Sequence, residues 1–256
     1  MSQSDQHPDT NDQGQMPLIA HLLELRNRLL KMVLAVLLCF AAIYPFANPL
    51  YTLLSDPLTR LLPEGQTMIA TDVAAPFFAP LKLALMLALF VAIPYVLYQI
   101  WSFIAPGLYR REKKLAFPLL FSSVVLFYLG AAFAYFVVFP LVFGFFTTVG
   151  PAGISEMPDM SRYLDFVLKL FFAFGVAFEI PIATILLVLA GITTPEDLSA
   201  KRPYVIVFCF IVGMLLTPPD IISQTLLALP MWLLFESGVL CARLIRRRTP
   251  DEDVEE

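Results

Sequence analysis

Long charge-poor apolar stretches constrain this chain more than any other feature. A helix crosses a hydrocarbon core about 30 Å thick with about 20 mostly apolar residues. Runs long enough to do so occupy residues 29–46, 83–104, 115–146 and 170–190. A shorter pair follows at 204–216 and 221–242. With 59% of the chain apolar and 15% charged, against about 45–50% and about 25% in soluble domains, the expected fold is all-α: a polytopic membrane protein with six transmembrane helices, the last two short. Residues 17–243 form its single transmembrane domain, flanked by a disordered cytoplasmic tail at 1–16 and a charged cytoplasmic tail at 244–256.

Two runs have unusual lengths. The third reaches about 48 Å at about 1.5 Å per residue, so it has to tilt or project beyond the bilayer. The fifth covers about 20 Å before Thr217, Pro218, Pro219 and Asp220 stop it. The turn into the sixth span then lies within the membrane depth, where backbone has to be buried in protein or wetted by a cavity.

Orientation follows from basic residues at the span ends. Arg26, Arg28 and Lys31 accompany span one, and Arg110, Arg111, Lys113 and Lys114 separate spans two and three. Lys201 and Arg202 separate four and five, and Arg243 and Arg246 to Arg248 follow six. Only Arg60, Lys82, Arg162 and Lys169 belong to the other side, which places both termini in the cytoplasm. Residues 1–16 carry no hydrophobic core of a secretory signal, so the first span is expected to act as its own insertion signal. Two far-side loops, 47–80 and 147–163, are rich in Pro, Gly, Asp and Thr and are expected to hold short helices or turns.

Four constellations stand out. Glu24 and Arg28 lie four apart on a leucine-rich helix entering span one, which reads as an interfacial helix with an i,i+4 ion pair worth a few tenths of a kcal/mol. Between spans two and three, Phe103 through Lys114 breaks and restarts a helix, with Glu112 alone among four bases. That pattern is an ordinary positive-inside loop, or a carboxylate set to grip an arginine through paired charge-assisted bonds. Glu179, in the middle of span four, has no basic neighbour in its own helix, and an acid in lipid costs about 2.5–3.5 kcal/mol. It is expected to face a cavity or a partner. At the turn between spans five and six, Asp220 reads equally as an N-cap, while Gln224 offers a donor and acceptor to another helix. Two smaller features are Gly130 and Ala134, spaced for close helix approach, and Asp165 and Lys169, spaced for a local pair.

Catalytic signals are largely absent. His7 and His21 are the only histidines, and no HExxH, GxSxG or GxxxxGK[ST] pattern occurs. Cys39, Cys209 and Cys241 sit in apolar segments without paired spacing and read as core residues. No cofactor or metal is expected. A secondary transporter or channel using Glu179 is the main alternative function, disfavoured by the missing internal repeat. A membrane scaffold whose acids anchor span ends comes next, and an intramembrane enzyme last.

In these stretches the sequence resembles the TatC family, the signal-receptor subunit of the twin-arginine protein translocase. The likeness rests on residues 21–30, the 103–112 loop, the 174–181 segment and Thr217-Pro218-Pro219-Asp220 through Gln224, in that order, within coverage from 17 to 243. The resemblance implies a receptor that binds twin-arginine signal peptides of folded precursors on the cytoplasmic face, with transport energy from the proton gradient. It implies Glu24 and Glu112 as acidic contacts for the arginine pair, with Arg26 and Phe103 shaping the same patch. Glu179 would line the concave membrane face. Met214, Thr217 and Gln224 would contact single-span TatA and TatB partners, and Pro57 and Asp220 would serve the far-side architecture. Self-association in a larger complex and a bacterial inner membrane are also implied.

Overall fold

The structure, a computed structural model, describes residues 12–59, 69–104, 116–142, 144, 159–217 and 221–248. Those residues are helical with short connections and contain no strand; a single backbone bridge joins Ile69 to Asp159. In chain order come α1 (Asp12–Ile43), a 3₁₀ turn (Tyr44–Phe46), α2 (Ala47–Thr59), α3 (Ala75–Ile104) and α4 (Ala116–Phe133). A π-helical turn (Ala134–Val138) is followed by α5 (Met160–Ala177), α6 (Ile180–Leu189), α7 (Pro195–Ala200), α8 (Arg202–Leu216) and α9 (Ile221–Arg248).

Five stretches are long and apolar enough to cross a membrane: His21–Ser55, Ala75–Ile104, Phe117–Val142, Met160–Leu189 and Ile221–Ile245. The apolar α8, 15 residues long, is the short fifth span that the sequence leads one to expect, about 22 Å at helical rise. The last span is not short. Its helix runs 28 residues, because Arg243 to Arg248 extend it beyond the apolar stretch. Helix α1 also begins earlier than expected, at Asp12, within the stretch read as a tail.

Span four differs most from its hydropathy. It starts at Met160, ahead of the apolar run, because Asp159 caps α5 by accepting from the backbone N–H of Ser161 and Arg162. It is also broken at Phe178–Glu179. Pro181 has no N–H and its ring excludes the carbonyl four residues back, so α5 ends at Ala177 and α6 restarts at Ile180. Prolines elsewhere free carbonyls in the same way. Pro94 lies inside α3, and the Phe90 carbonyl four residues earlier accepts a 2.9 Å bond from the Tyr128 hydroxyl of α4.

Helices α4, α5, α6, α8 and α9 pack into the main body, while α1 leans on α3. The largest core cluster joins Val142, Tyr163, Leu170, Phe174, Leu227 and Met231. Helix approach is close where side chains vanish. A Cβ on Gly130 would lie 2.5 Å from the Phe174 carbonyl oxygen, and one on Gly238 would lie 2.1 Å from Thr184 Oγ1. The close approach expected at Gly130 and Ala134 is therefore present, with Ala134 fully buried.

The far end is tied by polar contacts. The Thr71 hydroxyl and N–H donate to Asp159 at 2.6 and 3.0 Å, and Met160 N–H donates to Ile69. Lys82 of α3 pairs with Asp165 of α5 at 2.8 Å. This corrects the expectation that Asp165 pairs with Lys169: packing brings a lysine from another helix to the same depth, and Lys169 is exposed.

Candidate functional site

At the basic end, α1 and α3 meet along a seam that carries Glu24, Arg28, Phe103 and His21. Glu24 and Arg28 form the expected i,i+4 pair, with Nη2 at 2.7 Å and Nε at 3.0 Å from the same carboxylate oxygen, Oε1. Arg28 also donates through Nη1 to Gln99 Oε1 of α3 at 3.2 Å. A pair within one helix thus becomes a bridge between two. The Phe103 ring stacks on His21 with centroids 4.3 Å apart, so an aromatic surface lies on the seam that carries the carboxylate. Arg26 is exposed and donates to Asn27 Oδ1 at 3.4 Å. Glu112 lies outside the described residues.

Gln99 is the residue that sequence reasoning misses here. Only 5% exposed, it sits in an apolar helix where an amide needs a partner. A lone glutamine deep in an otherwise apolar run is the signal available in the sequence.

Glu179 occupies the α5–α6 break. It stands at the N-cap position of α6 without capping through its side chain, while its backbone carbonyl accepts from Ala183 at 2.8 Å. Its carboxyl meets the hydroxyl of Ser123 on α4, which accepts in turn from the Trp101 indole N–H of α3 at 3.3 Å. The result is a polar line across three helices inside an apolar body. Glu179 Oε1 is buried and has no hydrogen-bond partner among the described residues, so the carboxyl retains acceptor capacity for a visiting donor. Trp101 and Ser123 carry no distinctive spacing in the sequence.

The third place is the α8–α9 edge. Met214 and Gln224 line a groove of about 320 Å³ with Ile206, Val207, Phe210 and Ile211. Met214 is half exposed, giving an apolar, adaptable surface with one amide at its border. Thr217 does not join them. It is buried, and its hydroxyl donates to the Gly213 carbonyl at 3.0 Å, ending α8 from within. Asp220 lies outside the described residues, and Pro57 falls in α2, where its side chain is likewise not described.

Another acid also sits in an apolar helix, Glu236 of α9, but it is paired: Arg202 donates to it through Nε at 2.9 Å and through Nη2. Arg243 donates to Ser199 Oγ at 2.6 Å. These bonds tie α7, α8 and α9 at the basic end. Among the described residues no three His, Cys, Asp or Glu side chains gather as metal ligands.

Known proteins resemble this chain in sequence and fold. The family profile described as Sec-independent protein translocase protein (TatC) matches residues 20–230. The Sec-independent protein translocase protein TatC of Azotobacter chroococcum mcd 1 is 63% identical over 241 residues, 94% of each chain. Its counterpart from Escherichia coli (strain K12) is 58% identical over 227 residues, 89% of this chain and 88% of that one. The crystal structure of a twin arginine translocase receptor, TatC, superimposes with a TM-score of 0.79 at 38% identity, over 89% of this chain and 100% of that one. A multi-pass helical membrane protein that shares fold, order of elements and nearly full length with these relatives, this chain belongs to the TatC family of Sec-independent protein translocase proteins.

Proposed function

We propose that the chain is the signal receptor of its translocase, binding twin-arginine signal peptides of folded precursors at the basic end of the bundle, on the cytoplasmic face of a bacterial inner membrane. The observation that carries this reading is the α1–α3 seam, which carries both the half-exposed carboxylate of Glu24 and the stacked rings of Phe103 and His21. A guanidinium is planar, weakly hydrated and able to stack, so it matches a carboxylate beside an aromatic face better than an ammonium does. The crystallised relative is described as a twin arginine translocase receptor, which supports the same ligand. Glu24 and Glu112 take the two arginines, and Arg26 and Phe103 border them.

Exposed ion pairs contribute only about 0.2–1 kcal/mol each, so the apolar part of the signal supplies further affinity along the bundle face that holds Glu179. The Met214–Gln224 groove receives an apolar helix of TatA or TatB type, with Gln224 as the polar contact and Thr217 shaping the end of α8. Pro57 and Asp220 serve the far-side architecture, and several copies assemble in one complex. The proton gradient drives export.

The test is binding of the purified full-length protein to a precursor carrying either an Arg-Arg or a Lys-Lys signal. Wild type is expected to prefer Arg-Arg, and Glu24→Ala and Glu112→Ala are each expected to weaken that binding about two- to fivefold, the range of a partly exposed ion pair. Equal binding of both signals by wild type removes the receptor reading.

A further inference from the structure

The carboxylate assigned to a signal arginine already has a cation on it. Arg28 directs Nε and Nη2 at a single oxygen of Glu24, Oε1, while Oε2 takes no hydrogen bond among the described residues. The third arm of the same guanidinium, Nη1, is fixed to Gln99 on the neighbouring helix. Arg28 is the more enclosed partner, its side chain 21% exposed against 43% for Glu24. Its placement is that of a tethered group, an α1 side chain held by Gln99 of α3 against the acid one turn earlier in its own helix.

An incoming arginine can make its two-pronged contact only with both carboxylate oxygens available. One of them is taken. Sharing the carboxylate would place two guanidinium charges on one acid, and like charges at that distance repel. We propose that Arg28 is a built-in competitor for Glu24, a resident counter-ion that a signal-peptide arginine displaces on binding, and that Gln99 retains the displaced guanidinium at the seam. The proposal rests on the receptor reading above. In the free receptor Glu24 is neutralised and positioned; in the complex the ion pair is exchanged rather than created. The net gain from the acidic contact is then small, and any cation seeking Glu24 meets the same opposition. Arg28 sets the strength of binding, while the arginine fork sets the preference over lysine.

The consequence is a gain of affinity on removing a basic residue from the binding face, a direction that a merely structural role for Arg28 does not produce. The full-length protein in detergent is titrated with labelled Arg-Arg and Lys-Lys signal peptides. Arg28→Gln is expected to tighten both about two- to fivefold, the range of a partly exposed ion pair, with their ratio unchanged. In a Glu24→Gln background the same substitution is expected to give no gain, because the competitor then has nothing to occupy. Lys31→Gln, an equal change of charge nearby, controls for long-range repulsion and is expected to give less than the Arg28 variant. Should Arg28→Gln fail to yield folded protein, Arg28→Lys replaces it: the ammonium cannot reproduce the fork, and a smaller gain is expected. Unchanged or weaker binding in whichever Arg28 variant folds overturns the proposal, as does a gain that persists without Glu24. Loss of discrimination in wild type instead strikes the receptor reading first and the exchange with it.

Discussion

The first and fourth spans are both long apolar helices, yet they are held in opposite ways. In the most apolar window of the first, no residue is buried inside the protein; in that of the fourth, 44% of residues are. Helix α1 turns leucines such as Leu22, Leu30, Leu34 and Leu38 outward and meets the rest of the protein mainly along α3, through bonds such as Arg28 to Gln99. Helices α5 and α6 sit among α4, α8 and α9 with almost no side-chain space at the crossings. Lipid tails are as apolar as leucine, so burial gives little drive inside a bilayer, and close packing and polar contacts hold the helices instead. A polar residue on α1 is therefore free to serve a ligand at small structural cost. On the fourth span the same residue disturbs a packed body.

The comparison breaks most visibly at Gly238. Its Cβ would lie 2.1 Å from Thr184 Oγ1 and 2.7 Å from Pro181 Cα, and Pro181 belongs to the restarted helix that cannot shift alone. Gly238→Leu is expected to destabilise by at least about 3 kcal/mol, the upper part of the overpacking range, and to abolish folded protein in detergent. Leu38→Ala on α1, where the side chain is largely exposed, is expected to leave the melting temperature unchanged. A small effect at Gly238 would mean that α6 and α9 cross less tightly than their backbones indicate.

Glu179 sharpens the contrast by separating fold from function. Its Oε1 is buried without a hydrogen-bond partner among the described residues, and replacing such a group by an apolar side chain of similar size is often neutral or stabilising. Glu179→Met is expected to keep or raise thermal stability, by up to about 1 kcal/mol, while export of a twin-arginine precursor falls. Loss of stability by more than about 2 kcal/mol would make the acid structural. Unchanged crosslinking of the signal in Glu179→Ala would remove it from the signal's path.

How far the sequence discloses these features depends on the range of the interaction. The Glu24–Arg28 pair is visible because both groups share one helix turn, whereas Gln99, 71 residues from Arg28, becomes a partner only after α1 and α3 pack. Asp165 misleads for the same reason, since its local spacing to Lys169 is good but Lys82 arrives from α3. Hydropathy finds six spans because lipid imposes a length on each helix. It does not reveal that a single proline splits span four at its acid, nor that charged residues carry α9 beyond the apolar stretch. Glu236 resembles Glu179 in sequence, an acid in an apolar helix, and only packing separates the one paired with Arg202 from the one that meets the Ser123 hydroxyl.

The smallest expected effect lies at the far end, where the two halves of the molecule are joined. Asp159 accepts from the Thr71 hydroxyl and from the backbone N–H groups of Thr71, Arg162 and Ser161, and the Thr71 bond first, with the backbone bonds, holds its carboxyl down from 3.8 to about 2. A carboxyl lowered on folding stabilises the folded state above its ordinary pKa, and that contribution is lost as pH falls from about 4 through about 2. Asp159→Ala is expected to cost about 1 kcal/mol at neutral pH, as for other N-caps, and the gap between variant and wild type in thermal melts is expected to narrow over that acid window. A gap that stays constant down to pH 2 would mean that the cap acts by shape alone. In that case the loop holding Thr71 would be fastened by the backbone bond from Met160 to Ile69 and not by charge, and the link between α5 and the loop ahead of α3 would be indifferent to pH, unlike the exchangeable ion pair at the opposite end.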